Sequence, residues 1–257
     1  MGHSLSIQER QEQLVKYIES AHSVNIAEIC ARFQVSEATA RRDLEFLAER
    51  GKIQRVYGGA VCLKQAPPEL PVYQRMNEQT EAKQRIGEAM AKLIQDGETI
   101  FLGSGTTVLE VARHLDPQKN LTVITNSLLI LNELLEKENI NMIALGGMFR
   151  RSELSLIGHL TEQALSELRA DKVIIGIRSI DSIYGLTNHY LPETMTDRKI
   201  LQMGREIFVV ADCAKLGRTS SVFVAPVAVI HTLVTDTGAP PAIIQSLAQQ
   251  GIRVICA

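Results

Sequence analysis

At 257 residues, 45% hydrophobic and 22% charged, the chain can bury a full core, which excludes an intrinsically disordered protein. Aromatic residues make up only 4% and tryptophan is absent, so that core must be mainly aliphatic. A net charge of −2 excludes a chain that is basic throughout, while leaving room for a local cationic patch.

No apolar run approaches the roughly 18 residues needed to cross a bilayer. The start, MGHSLSIQER, has no apolar core of a secretory signal. Gly2 and Ser6 fit the loose myristoylation pattern, which so short a motif meets by chance. Cys30, Cys62, Cys213 and Cys256 fall in no CxxC or zinc-type spacing. Reduced thiols in a cytoplasmic protein, with no metal or cofactor, are therefore expected.

The first 60 residues are patterned differently from the rest. In IQERQEQLVKYIES (7–20), Ile7, Leu14, Tyr17 and Ile18 share one helical face. Asn25 can cap a second helix, IAEICARF, in which Ile26, Ile29, Cys30 and Phe33 face one way. After the turn QVS, Ser36 can cap a third helix, EATARRDLEFLAER, which Gly51 stops. Two helices joined by so tight a turn, preceded by a third, form a helix-turn-helix pattern. KIQRVYGGAVCL, with its alternation and Gly58-Gly59, predicts a small β-ribbon, or wing.

In the third helix, Ala40, Leu44 and Leu47 recur at helical spacing and should face inward. Glu37, Ala38, Thr39, Arg41 and Arg42 are left on the outer surface, where a recognition helix meets base edges and phosphates. Arg41 and Arg42 lie about 100° apart round the helix, so one can read a base while the other holds a phosphate. Arg55 is placed to enter the minor groove, and Lys52 and Tyr57 to reach the backbone. The expected DNA-contacting set is Ser36, Thr39, Arg41, Arg42, Lys52, Arg55 and Tyr57. Residues 36–58 hold five Lys or Arg against four Asp or Glu, too weak a patch for a lone head to bind tightly at physiological salt. At least two heads on a paired site are expected, which makes the remainder of the chain the oligomeriser.

KQAPPELP (64–71) is rich in proline and reads as an extended linker. The expected organisation is a winged helix-turn-helix domain over 1–62, a linker over 63–79 and an α/β domain over 80–257. From residue 80, short Val- and Ile-rich runs (TIFL, LTVIT, INMIALGG, KVIIGI, EIFVVAD, VAVIHTLVTD, IRVICA) alternate with helical segments. That alternation predicts a mainly parallel sheet covered on both faces.

The turn GSGTT (103–107) joins the first of these strands to a helix. Its glycines allow a tight turn, its hydroxyls can donate, and the helix start offers free N–H groups to an anion. Other strand ends carry Thr125-Asn126, Gly146-Gly147, IRSID (177–181) and ADCAKLGR (211–218). Polar groups thus recur where open α/β sheets bind ligands. Lys215 is a candidate cation for a phosphate, with Arg150, Arg151, Arg178 and Arg218 as further candidates.

The run SEATARRDLEFLAERGKIQRVYGGA (36–60) closely resembles the N-terminal signature of the DeoR-type family of bacterial sugar-metabolism regulators, and the rest of the chain resembles that family's effector domain. The resemblance implies a ribose-5-phosphate isomerase-like fold that senses a phosphorylated sugar, and the paired heads argued above make a homodimer or homotetramer on operator DNA the expected assembly. It implies that Ser104, Gly105, Thr106 and Thr107 bind phosphate. Asn126, Glu193 and Lys215 would then line the sugar end, with Arg178 and Asp181 nearby. Two positions depart from the family pattern. Gly103 stands where many members have Asp, and Arg178-Ser179 where many have Asp-Gly, so the local acid is Asp181. Exchange of an acid for an arginine suggests a more anionic or differently shaped effector. An isomerase-like enzyme, with Glu193 or Asp181 as base and Lys215 stabilising an enediolate, is the alternative expectation.

Overall fold

The computed structural model describes residues 6–21, 23–50, 52–56, 58–62, 66 and 69–257. The chain divides into two compact units, Met1–Gln65 and Ala66–Ala257.

The first unit contains α1 (Ile7–Ala21), β1 (Ser23–Asn25), α2 (Ile26–Phe33), α3 (Glu37–Glu49), β2 (Ile53–Val56) and β3 (Gly59–Cys62). Leu14 and Ile18 of α1, Ile29 of α2, and Ala40, Leu44 and Leu47 of α3 form its core with Val24, Ile53 and Ala60. Ile7, expected on the buried face of α1, is 65% exposed because it sits in the first turn, beyond that core. A capping box starts α2: Glu28 N donates to Asn25 Oδ1 at 2.8 Å, and Asn25 N to Glu28 Oε2 at 2.9 Å. Ser36 caps α3, its Oγ accepting from Thr39 N at 3.2 Å.

The wing has an unexpected third strand, in the order β1-β3-β2. The strand β1 is too short to show any periodicity, but it explains the paired glycines. Gly58 turns the chain at φ +80°, and a Cβ on Gly59 would lie 2.1 Å from Val24 O. Asp43, in the Arg-Arg-Asp-Leu run, is buried. It accepts from Arg10 Nε at 2.7 Å and Gln11 Nε2 at 3.0 Å, which ties α3 to α1. Asp43→Ala is expected to destabilise this unit by about 2–3 kcal/mol by leaving Arg10 without its partner. Hydrogen exchange in the full chain should then quicken in α1 and α3 and stay unchanged in the second unit.

In the second unit α4 (Val72–Arg75) and α5 (Thr80–Ala91) precede β4 (Thr99–Leu102), α6 (Thr106–Arg113), β5 (Leu121–Thr125), α7 (Leu128–Leu134) and β6 (Ile140–Ala144). A hairpin of β7 (Met148–Arg150) and β8 (Ser155–Ile157) leads to α8 (His159–Glu167) and β9 (Ala170–Ile175). Next come β10 (Ser179–Asp181), β11 (Gly185–Asn188), α9 (Leu191–Met203), β12 (Gly204–Val210) and β13 (Val222–Ala225). The chain finishes with β14 (Thr232–Thr235), α10 (Pro241–Gln249) and β15 (Arg253–Cys256). The run expected as one strand from Val227 is a 3-10 turn, Val227–Val229, followed by β14.

Seven strands form one sheet in the order β15-β14-β12-β9-β4-β5-β6, every pair of them parallel. Successive strand residues alternate between two aliphatic cores, as the strand period demands. Ile100, Leu102, Val123, Ile174 and Phe208 pack with α5, α6 and α7. Phe101, Ile124, Val173, Ile175 and Val209 pack with α8, α9 and α10. From β4 the chain runs outward through β5 and β6, then returns to place β9 on the other side of β4. The strand order therefore reverses between β4 and β9, and an open α/β sheet splits to admit a ligand at such a point.

Most of the expected linker belongs to this unit. Ala66 N donates to Thr219 O at 2.9 Å, and Val72 N to Ser152 O at 2.8 Å. Val72 is fully buried, so the chain after the prolines packs down as a short helix and does not hang free. Residues 63–65, 67 and 68 lie outside the described residues.

Candidate functional site

A cavity of about 410 Å³ opens where the strand order reverses. Its walls come from the ends of three strands: Ser104 to Thr107 after β4, Gly176 to Arg178 after β9, and Val210 to Asp212 at the end of β12. Gly105 precedes α6 at φ +114°, a conformation that favours glycine. No side chain caps α6, and Leu109 N is the first amide of the helix bonded back to Gly105 O. The free amides and the positive end of the helix dipole thus face a cavity that Thr106 and Thr107 line with their hydroxyls.

Two lysines face the same space, Lys83 buried and Lys215 half-buried. Lys83, on α5, donates from Nζ to Arg75 O at 2.6 Å. Lys215 sits on a 3-10 turn, Cys213–Lys215, capped by Asp212, whose Oδ1 accepts from Ala214 N at 3.0 Å. Asp236 braces that turn from the next strand end by accepting from Cys213 N at 2.6 Å. Burial pushes both lysines below their ordinary range, and the charge of Asp212 opposes the shift. Among the described residues neither lysine has a carboxylate at ion-pair distance. Each thus has positive charge that no carboxylate pairs directly, available to an anionic ligand.

Carboxylates of α9 and of the β7–β8 turn line the same cavity. Glu193, in the first turn of α9, is paired with Arg150 and accepts from Asn188 Nδ2 at 3.0 Å. Arg150 also lies over the Tyr190 ring, 4.6 Å from its centre. Asp197, one turn on, accepts from the same amide at 3.1 Å. Burial first, and the charge of Glu193 second, push Asp197 well above the usual carboxylate range. Two carboxyls on a single helix face offer hydrogen-bond partners to a polyol.

Glu153, at the β7–β8 turn, is paired with Arg75 yet raised to about 7, because burial outweighs the arginine. Between the unfolded value near 4.5 and about 7 the folded protein therefore holds more protons than the unfolded chain. Stability of this unit is expected to fall as pH rises through that window, with Asp197 adding the same sign. Melting temperatures at pH 5.5 and 7.5 test this, and Glu153→Gln should reduce the difference.

Seven of the nine expected effector residues line the cavity: Ser104, Gly105, Thr106, Thr107, Arg178, Glu193 and Lys215. Asn126 and Asp181 do not. Asn126 is buried and donates to Leu156 O at 2.9 Å, fastening the β7–β8 hairpin to the end of β5. Asp181 turns its own chain, accepting from Ile183 N at 2.8 Å and Tyr184 N at 3.0 Å. Of the other candidate arginines, Arg151 is exposed and Arg150 is spent on Glu193. Asp212, within the strand end ADCAKLGR, lines the cavity as expected, and Glu69, Arg75, Lys83, Glu153, Asn188 and Asp197 line it without having been expected there. The Pro-rich composition before α4 concealed Glu69 and Arg75. The i, i+4 spacing of Glu193 and Asp197 was a usable signal.

In the first unit Ala38, Arg41 and Arg42 are exposed at the start of α3, as its spacing predicts. Arg41 pairs with Glu37 at 3.4 Å. Arg55, on β2, pairs with Glu45 of α3 at 3.3 Å, and Lys52 is exposed. The Ser36 hydroxyl is engaged by the helix cap and Thr39 is half-buried beside it. Tyr57 lies outside the described residues.

The DeoR-like helix-turn-helix domain matches residues 10–66, and the DeoR C-terminal sensor domain matches residues 78–237. The chain belongs to the DeoR family. It is a DNA-binding transcriptional regulator whose second unit is the sensor domain. It is 33% identical over 246 residues to the glycerol-3-phosphate regulon repressor of Escherichia coli K12, covering 96% of this chain and 97% of that one. It is 31% identical over 249 residues to a putative aga operon transcriptional repressor of Escherichia coli O157:H7, covering 96% and 93%. The repressor GlcR of Bacillus subtilis is 33% identical over 249 residues, covering 96% and 95%. Among solved structures, ribose 5-phosphate isomerase A of Methanocaldococcus jannaschii matches 54% of this chain and 55% of its own, with 18% identity and a TM-score of 0.41. No helix among the described residues is long and apolar enough to cross a membrane.

Proposed function

We propose that this regulator is a cytoplasmic repressor of a carbohydrate-catabolism operon, released from its operator when a phosphorylated sugar enters the sensor cavity. The observation that carries the reading is the uncapped start of α6 facing the same cavity as Lys83 and Lys215. Amides, hydroxyls and ammonium groups together match a phosphate, and the carboxyl pair of α9 matches the hydroxyls of a sugar. Relatives named as repressors of the glycerol-3-phosphate regulon and the aga operon fit the same chemistry. One head offers few cations to DNA, so the working species is a homodimer or homotetramer that presents paired heads. The effector acts by binding the off-DNA arrangement better, which shifts the population away from operator.

Catalysis is not part of this reading. Glu193, the carboxylate an isomerase would use as base, is committed to Arg150 and Asn188. Calorimetry with ribose 5-phosphate, glucose 6-phosphate and fructose 6-phosphate beside the unphosphorylated sugars tests it. At least one phosphate should bind while its parent sugar does not. Turnover of a bound sugar phosphate that disappears in Glu193→Gln would overturn it in favour of an enzyme.

A further inference from the structure

The sensor cavity contains a second cationic seat, apart from the start of α6, and the protein fills it with its own carboxylate. Glu69 reaches in from the segment before α4. Its Oε1 lies 3.3 Å from Arg75 Nη1 and 3.7 Å from Arg178 Nη1, and its Oε2 lies 3.2 Å from His189 Nδ1. The fit is incomplete. Arg178 is buried, with 6% of its side chain exposed, yet its Nη2 has no hydrogen-bond partner. At 3.7 Å its contact with Glu69 is longer than a charge-assisted hydrogen bond, which runs at about 2.7–2.9 Å. A buried guanidinium left partly unsatisfied is costly, and a planar carboxylate free to align with it would complete both of its bonds.

Resting on the sugar-phosphate reading above, we infer that the effector carries two anionic groups, a phosphate at the start of α6 and a carboxylate that displaces Glu69 from Arg178 and Arg75. The effector is thus a phosphorylated sugar acid and not a simple aldose or ketose phosphate. The exchange balances charge at Arg178, since one carboxylate leaves as another arrives, while Arg75 keeps its pairing with Glu153 throughout. A neutral hydroxyl can accept one bond from the unpartnered Arg178 Nη2, but it cannot replace the charge of Glu69 and so cannot take over the whole seat. A cavity of about 410 Å³ holds both groups of such a molecule at once. Arg178 stands where an acid would repel the carboxylate, so this residue sets the preference.

The test is calorimetry on the full-length protein with matched pairs: ribose 5-phosphate against 5-phosphoribonate, and glucose 6-phosphate against 6-phosphogluconate. In at least one pair the acid should bind at least tenfold more tightly. Arg178→Ser should bring that ratio close to one while leaving the aldose phosphate bound, and Arg178→Lys should retain part of it. Glu69→Gln should tighten the acid alone, which keeps the test decisive if Arg178→Ser fails to fold. Equal binding of both members of each pair, or a preference that survives Arg178→Ser, would overturn the inference and leave the sugar-phosphate reading standing. Absence of binding by every phosphorylated ligand, with the operator still bound, would overturn both.

Discussion

A Thr106→Asp protein is expected to hold operator DNA within about threefold of the parent affinity and to stop responding to any phosphorylated sugar. Thr106 opens α6 and is buried against the cavity. A carboxylate there would face the incoming phosphate at about 4 Å, which costs on the order of 4 kcal/mol at an effective dielectric of about 20. That corresponds to roughly a thousandfold loss of effector affinity. The helix itself should tolerate the change, because an acid in the first turn stabilises a helix by about 0.3–1 kcal/mol. Fluorescence-anisotropy titration of operator with and without effector reads both quantities. Loss of operator binding in a well-folded variant would make the turn part of the assembly rather than the phosphate clamp.

Arg41→Ala and Arg42→Ala are expected to weaken operator binding in two distinguishable ways. Both side chains are exposed in the first turns of α3, but Arg41 is held by Glu37 and must exchange that partner for DNA. The arginine that reads a base should cost about 1–3 kcal/mol per head when removed and relax specificity at a single position. The one that holds a phosphate should weaken all sequences alike and reduce the salt dependence by about one unit of slope per head. In the symmetric assembly proposed above each substitution counts at least twice, so removing the base-reading arginine is expected to cost about 30-fold or more. Affinities measured across a series of salt concentrations on operator and scrambled DNA assign the roles. Unchanged affinity in both variants would remove α3 from the interface.

The parallel sheet was legible because strands buried on both faces must be aliphatic throughout, and runs such as TIFL and LTVIT admit little else. The helix-turn-helix was legible through its caps, since Asn25 and Ser36 do locally what their types suggest. What local pattern could not supply was the side to which each crossover turns. The reversal between β4 and β9 brings Arg178 into the same cavity as Ser104 and decides which strand ends share it. Asn126 sits at a strand end of the right kind, but on β5, and the β7–β8 hairpin claims its amide. Asp181 is drawn into its own turn, a common fate of a short acid in a loop. The reverse error concerned Glu69 and Arg75. Prolines ahead of them argued for an extended linker, and only the burial of Val72 against the sensor domain brings their charges inside. The strands β10, β11 and β13 are three or four residues long, too short for alternation to be read.

Operator binding under effector titration tests the central claim most directly, because a sensor must couple two equilibria reciprocally. If the cavity senses a sugar phosphate, one member of the panel should weaken operator affinity by a measurable factor, and saturating operator should weaken that ligand's binding by the same factor. A phosphorylated ligand that binds the cavity, is blocked by Thr106→Asp, and yet leaves operator affinity unchanged at saturation would contradict the account.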